Sequence, residues 1–206
     1  HQRRREILER LRPLQIGVKV LPTMDQLLNS KGSYTALQEV QAADLLGRDE
    51  IAPDSSLLEK DICGKTILVT GAGGSIGSEL CREILRLQPS KLILLEQHEH
   101  ALYQLERELR PQLSVTELLP CLGSVLDTTR LAKLMKEHQV QTVYHAAAHK
   151  HVSLVEMNPL EGFRNNVLGT QSLLEACQAH QPESFVLIST DKAVRPTNLM
   201  GASKRM

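Results

Sequence analysis

The chain has 206 residues, enough for one sizeable α/β domain and an additional segment. Its 24 basic and 24 acidic side chains cancel, so it lacks the long-range field that draws a protein to nucleic acid or to an anionic membrane. Aromatics at 2% and no Trp argue against a base-stacking platform and leave the core to Leu, Ile, Val and Ala.

The first region, residues 1–60, opens with an amphipathic helical stretch, Arg3 to Leu11, then a short β-like run, IGVKVLP. The mixed segment from Met24 to Ile62 follows, with the turn residues and scattered charges of short helices and an extended connector. This region is expected to be the tail of a preceding domain plus a partly helical linker. The start, HQRRREILERL, has no apolar stretch for a secretory signal, and no apolar run approaches the roughly 20 residues that span a bilayer. The lack of an initial Met and the ending in GASKRM suggest an excerpt of a longer chain, truncated before a substrate-binding part. Cys63, Cys81, Cys121 and Cys177 are far apart. They form no zinc or redox pattern, which predicts no metal site and idle thiols in a reducing cytoplasm.

In residues 61–206 apolar runs alternate with helical periodicity. KTILVT is a β-branched run suited to a buried parallel strand. Ser75 to Leu87 is predicted helical, KLILLE a strand, His98 to Leu109 a helix and SVTELLP a strand. Asp127 to His138 is predicted as a helix capped by Asp127 or Thr128. QTVYHAAA is a strand, Asn165 to His180 a helix and SFVLIST a fifth strand. Such strict alternation predicts a doubly wound parallel sheet, the Rossmann fold.

Between the first strand and its helix stands Thr70-Gly71-Ala72-Gly73-Gly74-Ser75-Ile76-Gly77. Gly71 allows the tight turn, Gly74 lets backbone approach a pyrophosphate, and Gly77 lets the helix pack on the sheet. The helix N-terminus, at Ser75 and Ile76, offers N–H groups to the phosphates. Glu96 ends the second strand near the ~20-residue spacing at which an acid takes the adenosine ribose hydroxyls. Glu99 is a second candidate. No Arg follows to hold a 2′-phosphate, so NAD is expected over NADP. A glycine-rich turn without a ligand and a solvated strand-end charge are the plain alternatives.

The fifth strand ends Ser189-Thr190-Asp191-Lys192, and Met200 and Lys204 follow at helical i, i+4 spacing. An acid, a base and a hydroxyl at a strand's carboxyl end suit proton transfer; a loop salt bridge is the plain alternative. Lys150 and His151 share that edge. Lys150 is a candidate for phosphate or substrate, and His151 is expected to be structural.

Taken together, TGAGGSIGSEL, LILLEQHEHALY, VYHAAAHKHVSLVEMNP, NNVLGT and FVLISTDKAVRPTNLMGASKR resemble the polysaccharide-biosynthesis branch of the extended short-chain dehydrogenases. That branch includes membrane-anchored UDP-N-acetylglucosamine 4,6-dehydratases. The resemblance runs from about Gly64 to the last residue, and residues 1–60 resemble the family's connector after a transmembrane region. It implies a nucleotide-sugar substrate, NAD as cofactor, a homo-oligomer, and a cytoplasmic domain whose membrane attachment lies in segments outside this chain. It implies C4 oxidation, loss of water across C5–C6, and return of hydride to C6.

Residue by residue, the family's Tyr-x-x-x-Lys pair appears as Met200 and Lys204, with Lys204 on the nicotinamide ribose. Thr190 would hydrogen-bond the C4 oxygen, Asp191 would protonate the leaving C6 hydroxyl, and Lys192 would take the C5 proton, for which it must be neutral. The base for the C4 hydroxyl stays open between Asp191 and a bound water. Asn166 resembles the asparagine that supports the strand and proton path, and is a candidate substrate contact; helix packing is the plain alternative. Gly123-Ser124-Val125 stands where relatives carry Gly-Asp-hydrophobic, so Ser124 would make a weaker contact to adenine, or Asp127 would compensate. A sugar-nucleotide epimerase, a C4 oxidoreductase or a non-catalytic NAD-binding module are the rival readings.

Overall fold

The computed structural model describes residues 54–206 and, ahead of them, the backbone of Lys19–Val20 and Gln38–Glu39. Those two dipeptides form an antiparallel ladder, Lys19 opposite Glu39 and Val20 opposite Gln38; Lys19–Val20 falls inside the β-like run. The predicted helix from Arg3 to Leu11 and the remaining connector lie outside the described residues.

Residues 54–206 form one compact unit. Five parallel strands carry it: β1 (Thr66–Thr70), β2 (Lys91–Glu96), β3 (Glu117–Leu122), β4 (Thr142–His145) and β5 (Ser184–Leu187). They lie in the order β3-β2-β1-β4-β5, all in parallel register. The order reverses beside β1, so β1 and β4 diverge from opposite directions and open a crevice at their carboxyl ends.

The helices are α1 (Ser55–Ile62), α2 (Ser75–Arg86), α3 (Glu99–Leu109), α4 (Thr128–His138), the short α5 (Val152–Met157) and α6 (Pro159–Phe163), α7 (Gly169–His180) and α8 (Leu199–Arg205). Strand β1 reads as an unbroken apolar run because both its faces are covered. Ile67 and Val69 point to the layer containing α2 and α3, packing with Cys81, Ile84, Leu102 and Leu105. Leu68, on the other face, packs with Leu131, Met135 and Leu173 of α4 and α7.

The unit begins at Asp54, earlier than the expected boundary after residue 60. Helix α1 belongs to it because Ile62 joins the first core layer and Asp61 ties two strand ends, accepting from Thr142 Oγ1 at 2.8 Å and Ser184 Oγ at 3.1 Å. Asp127 caps α4, its carboxylate accepting from Arg130 N at 3.0 Å.

Three predicted strands shift or shorten. β3 starts at Glu117 rather than Ser114 and runs on to Leu122. β4 stops at His145, since Ala146 N donates to Thr70 O and β1 then turns away into the glycine loop. β5 stops at Leu187, just before Ile188 N donates to His145 O. The predicted helix from Asn165 begins as a π-turn, Arg164–Leu168, ahead of α7. There Gly169 N reaches back to Arg164 O, and Thr170 Oγ1 bonds Asn166 O at 2.7 Å. Single-turn π-helices of this kind recur at functional sites.

Candidate active site at the strand ends

Two clefts meet over the glycine loop, sharing Gly74, Ala146 and Ala148. The first is walled by Gly71, Gly73, Gly74, Glu96, Ser124 and Val125. The second is walled by Ser75, Ile76, Gly77, Lys150, Thr190, Lys192, Met200 and Lys204. Gly71, Gly74, Ser75, Ile76, Gly77, Glu96, Ser124, Val125 and Lys204 therefore each line one cleft or the other, whereas the second candidates Glu99 and Asp127 line neither.

The glycines answer to measurable space. Gly71 has φ +66°, and a Cβ on it would sit 2.6 Å from the Ala147 backbone. A Cβ on Gly77 would lie 2.0 Å from Gly71 O, which would push α2 off the loop. Gly74 caps α2 without a side chain, so the first-turn N–H groups stay open to an anion. Lys150, from the β4 end, brings its ammonium to that same place, donating to Ser75 Oγ at 2.8 Å.

Glu96 is buried, at 7% exposure. Its Oε1 accepts from Gln97 N and His98 N, both at 2.9 Å, and its Oε2 accepts from Gly73 N at 3.0 Å. A carboxylate has about four lone-pair sites, so one direction on Oε2 is left for a ribose hydroxyl. Glu96 thus also holds the glycine loop. Gly73, unassigned from sequence, is required here: a Cβ would meet Ala101 Cβ at 2.6 Å and Glu96 Cγ at 3.1 Å. The signal was present in the loop, but its partner lies across the sheet. Ser124 Oγ accepts from Leu126 N at 3.2 Å, which leaves its hydroxyl proton free to point into the first cleft. Val125 is buried against Gly169.

At the second cleft, Thr190 Oγ1 donates to Asp191 Oδ1 at 3.0 Å, and Lys192 Nζ lies 3.7 Å from the same oxygen. The Thr190 hydrogen bond, then the Lys192 charge, hold the exposed Asp191 carboxyl below the usual carboxylate range. Asp191 stands at the cleft's edge, outside the wall formed by Thr190, Lys192, Met200 and Lys204. Lys192 is half exposed. Burial lowers the Lys204 pKa, and its ammonium donates to Ile188 O at 3.1 Å. Met200 is buried and presents no titratable group to the cleft. Gly201 lets α8 approach the Lys192 turn, since a Cβ on it would be 2.4 Å from Lys192 O; sequence spacing carried no sign of that contact.

Asn166, expected as a support or a substrate contact, lines neither cleft. It is buried, and its amide is saturated. Oδ1 accepts from His149 N at 2.8 Å and Asn165 Nδ2 at 3.1 Å, while Nδ2 donates to His149 O at 3.0 Å and Ser203 Oγ at 2.9 Å. With no group left for a sugar, it pins the β4 end to α8, as a support. His151 stands exposed ahead of α5.

A dinucleotide fits these clefts: glycines whose side chains would fill the space, an open helix N-terminus, an ammonium beside it, and a carboxylate with one free lone pair. Among the described residues no cluster of His, Cys, Asp and Glu could hold a metal ion, and no helix is long and apolar enough to cross a membrane.

Residues 67–206 match the family described as polysaccharide biosynthesis protein. The capsular polysaccharide biosynthesis protein CapD of Staphylococcus aureus is 44% identical over 90% of this chain and 31% of its own length. A UDP-N-acetylglucosamine 4,6-dehydratase (inverting) of Campylobacter jejuni is 34% identical over 68% of this chain and 40% of its own length. Among solved structures, MoeE5 in complex with UDP-glucose and NAD superposes with a TM-score of 0.56 at 28% identity, over 68% of this chain and 46% of that one. The chain thus spans less than half the length of each of these relatives.

Proposed function

Since the chain belongs to the polysaccharide biosynthesis protein family, we propose that it is the NAD-binding half of a nucleotide-sugar 4,6-dehydratase acting on UDP-N-acetylglucosamine. The observation that carries this reading is the convergence of Thr190, Lys192, Met200 and Lys204 on one cleft adjoining the glycine loop. The similarity to the Campylobacter dehydratase supports it, and the NAD bound in the MoeE5 structure supports the cofactor.

Bound NAD would supply a reversible hydride acceptor, filled from C4 of the sugar and emptied to C6. The residues do the rest. Gly71, Gly74, Ser75, Ile76 and Gly77 cradle the pyrophosphate with Lys150 beside it. Glu96 holds the adenosine ribose, and Ser124 and Val125 flank the base. Lys204 holds the nicotinamide ribose and keeps the potential positive where a C4 oxyanion develops. Lys192, in the wall of the second cleft, takes the C5 proton. Asp191 is the acid for the leaving C6 hydroxyl.

When the sugar arrives, the Thr190 hydroxyl turns from Asp191 to the C4 oxygen. That removes the largest cause holding the carboxyl down, returning its pKa toward the ordinary carboxylate value, and the carboxylate takes the C4 hydroxyl proton that it then gives to the C6 hydroxyl. Met200 takes no part in proton transfer; it shapes the apolar side of the cleft. The domain would face the cytoplasm, with any membrane attachment in segments outside this chain.

The test is to incubate the full-length protein with UDP-N-acetylglucosamine and follow the sugar by mass spectrometry. A product lighter by one water and carrying a carbonyl is expected. An isomer of unchanged mass would overturn the dehydratase reading in favour of an epimerase.

A further inference from the structure

His145, the last residue of β4, is 0% exposed and takes no part in the chemistry above. Its two ring nitrogens are both engaged, on different elements. Nδ1 faces Thr70 Oγ1 at 2.6 Å, and Nε2 faces Thr170 Oγ1 at 2.9 Å. Thr70 is the last residue before the glycine loop, and Thr170 lies in the first turn of α7, just past the π-turn.

The direction of each bond follows from proton counting. The Thr170 hydroxyl proton goes to Asn166 O at 2.7 Å, so Thr170 Oγ1 accepts and His145 Nε2 donates. A neutral imidazole has one donor and one acceptor, which leaves Nδ1 to accept from the Thr70 hydroxyl. Asn166 continues the chain through its amide to Ser203 Oγ, and Ser203 donates to Met200 O at 2.7 Å. One unbroken hydrogen-bonded path therefore runs from the root of the glycine loop, through β4 and the π-turn, to the helix bearing Met200 and Lys204. All of its side chains are buried or half-buried.

We propose that His145 is a positioning residue, a neutral strut bonded at both ends that holds the cofactor loop and the Met200–Lys204 helix in one fixed relation. It rests on the dehydratase reading for the reaction served, where C4 must meet the cofactor and the strand-end side chains at once. A neutral ring suits the place, since an imidazolium would carry protons on both nitrogens and force Thr70 to find another acceptor. Burial, with the nearby Lys204 charge, holds the ring's pKa down to about 4, in keeping with that tautomer.

The test uses the full-length protein and the variants His145→Leu, His145→Gln and Thr170→Val. Amide exchange is measured without ligand, NAD⁺ affinity by titration, and kcat and KM with UDP-N-acetylglucosamine. His145→Leu leaves the buried Thr70 hydroxyl without an acceptor, a loss worth roughly tenfold in a local opening equilibrium. Exchange at Gly71, Ala72 and Gly74 and in α8 should rise by about that factor while α3 and α4 stay protected. NAD⁺ should bind more weakly, and kcat should fall with the sugar KM unchanged. His145→Gln, which can restore one bond, should recover part of each effect. Thr170→Val, at a half-buried site, should loosen α8 and leave the glycine loop as in the wild type.

The proposal is overturned if His145→Leu leaves loop exchange and NAD⁺ affinity unchanged, or if exchange rises uniformly across the sheet, as simple destabilisation would give. It is equally overturned if Thr170→Val leaves α8 as protected as in the wild type. A wild-type protein that binds NAD⁺ but makes no dehydrated sugar sinks the dehydratase reading alone, because the exchange and titration results stand without turnover.

Discussion

Glu96→Gln separates two jobs that one side chain performs. Glu96 accepts three backbone N–H bonds, from Gly73, Gln97 and His98, with one lone pair left for a ribose. Glutamine has one carbonyl oxygen. If that oxygen keeps Gln97 and His98, its amide N–H₂ faces the Gly73 N–H, donor against donor. A hydrogen bond to a charged acceptor contributes about 1.5–3 kcal/mol, and the other two weaken as the charge is lost. The sum is a destabilisation of roughly 2–4 kcal/mol in the protein without ligand. For a unit of this size each kcal/mol shifts Tm by about 2–4 °C, so Tm should fall by roughly 4–16 °C before any NAD is added. Differential scanning fluorimetry with and without NAD⁺ reads both roles: the ligand-induced rise should also shrink as the ribose contact weakens. An unchanged Tm in the unliganded protein would refute the loop-holding role and leave Glu96 a ribose contact only.

Three further outcomes follow from the same geometry. Gly77→Ala forces a Cβ to within 2.0 Å of Gly71 O, so NAD⁺ binding should be lost, read by titration calorimetry, and Tm should drop. Lys192→Ala in the full-length protein should abolish dehydration while NAD⁺ stays bound; normal turnover would remove Lys192 from the mechanism. His145 has its pKa lowered from 6.5 to about 4, so between those values the unfolded chain takes up a proton that the folded one refuses. Stability should therefore fall as pH drops from near 7, levelling off below about 4 after a loss of up to about 3 kcal/mol. Urea melts across that range should show this slope weakened in His145→Gln.

The strands and the glycine loop were legible in sequence because their signals are local. β1 is apolar without a break since both its faces are buried, and Gly71, Gly74 and Gly77 mark a turn, an approach and a packing contact within a few residues. Strand ends were harder to place. β4 stops at His145 because β1 turns away beside it, a fact of the partner strand and not of QTVYHAAA. The π-turn, the short helices α5 and α6, and the saturation of Asn166 depend on contacts between segments far apart in the chain. So do the Gly73–Glu96 bond, the Gly201–Lys192 approach and the His145 strut. The candidate catalytic residues could be named from sequence, but that the Thr190 hydroxyl holds the Asp191 carboxyl below the usual range could not, since it depends on side-chain geometry.

The central claim, that hydride leaves C4 and returns to C6 of the same sugar while water is lost, is tested most directly with UDP-N-acetylglucosamine deuterated at C4. The full-length protein should give a dehydrated product carrying that deuterium on C6, with the cofactor unlabelled after turnover. Deuterium found back at C4 in an undehydrated sugar, or left on the cofactor, would contradict it.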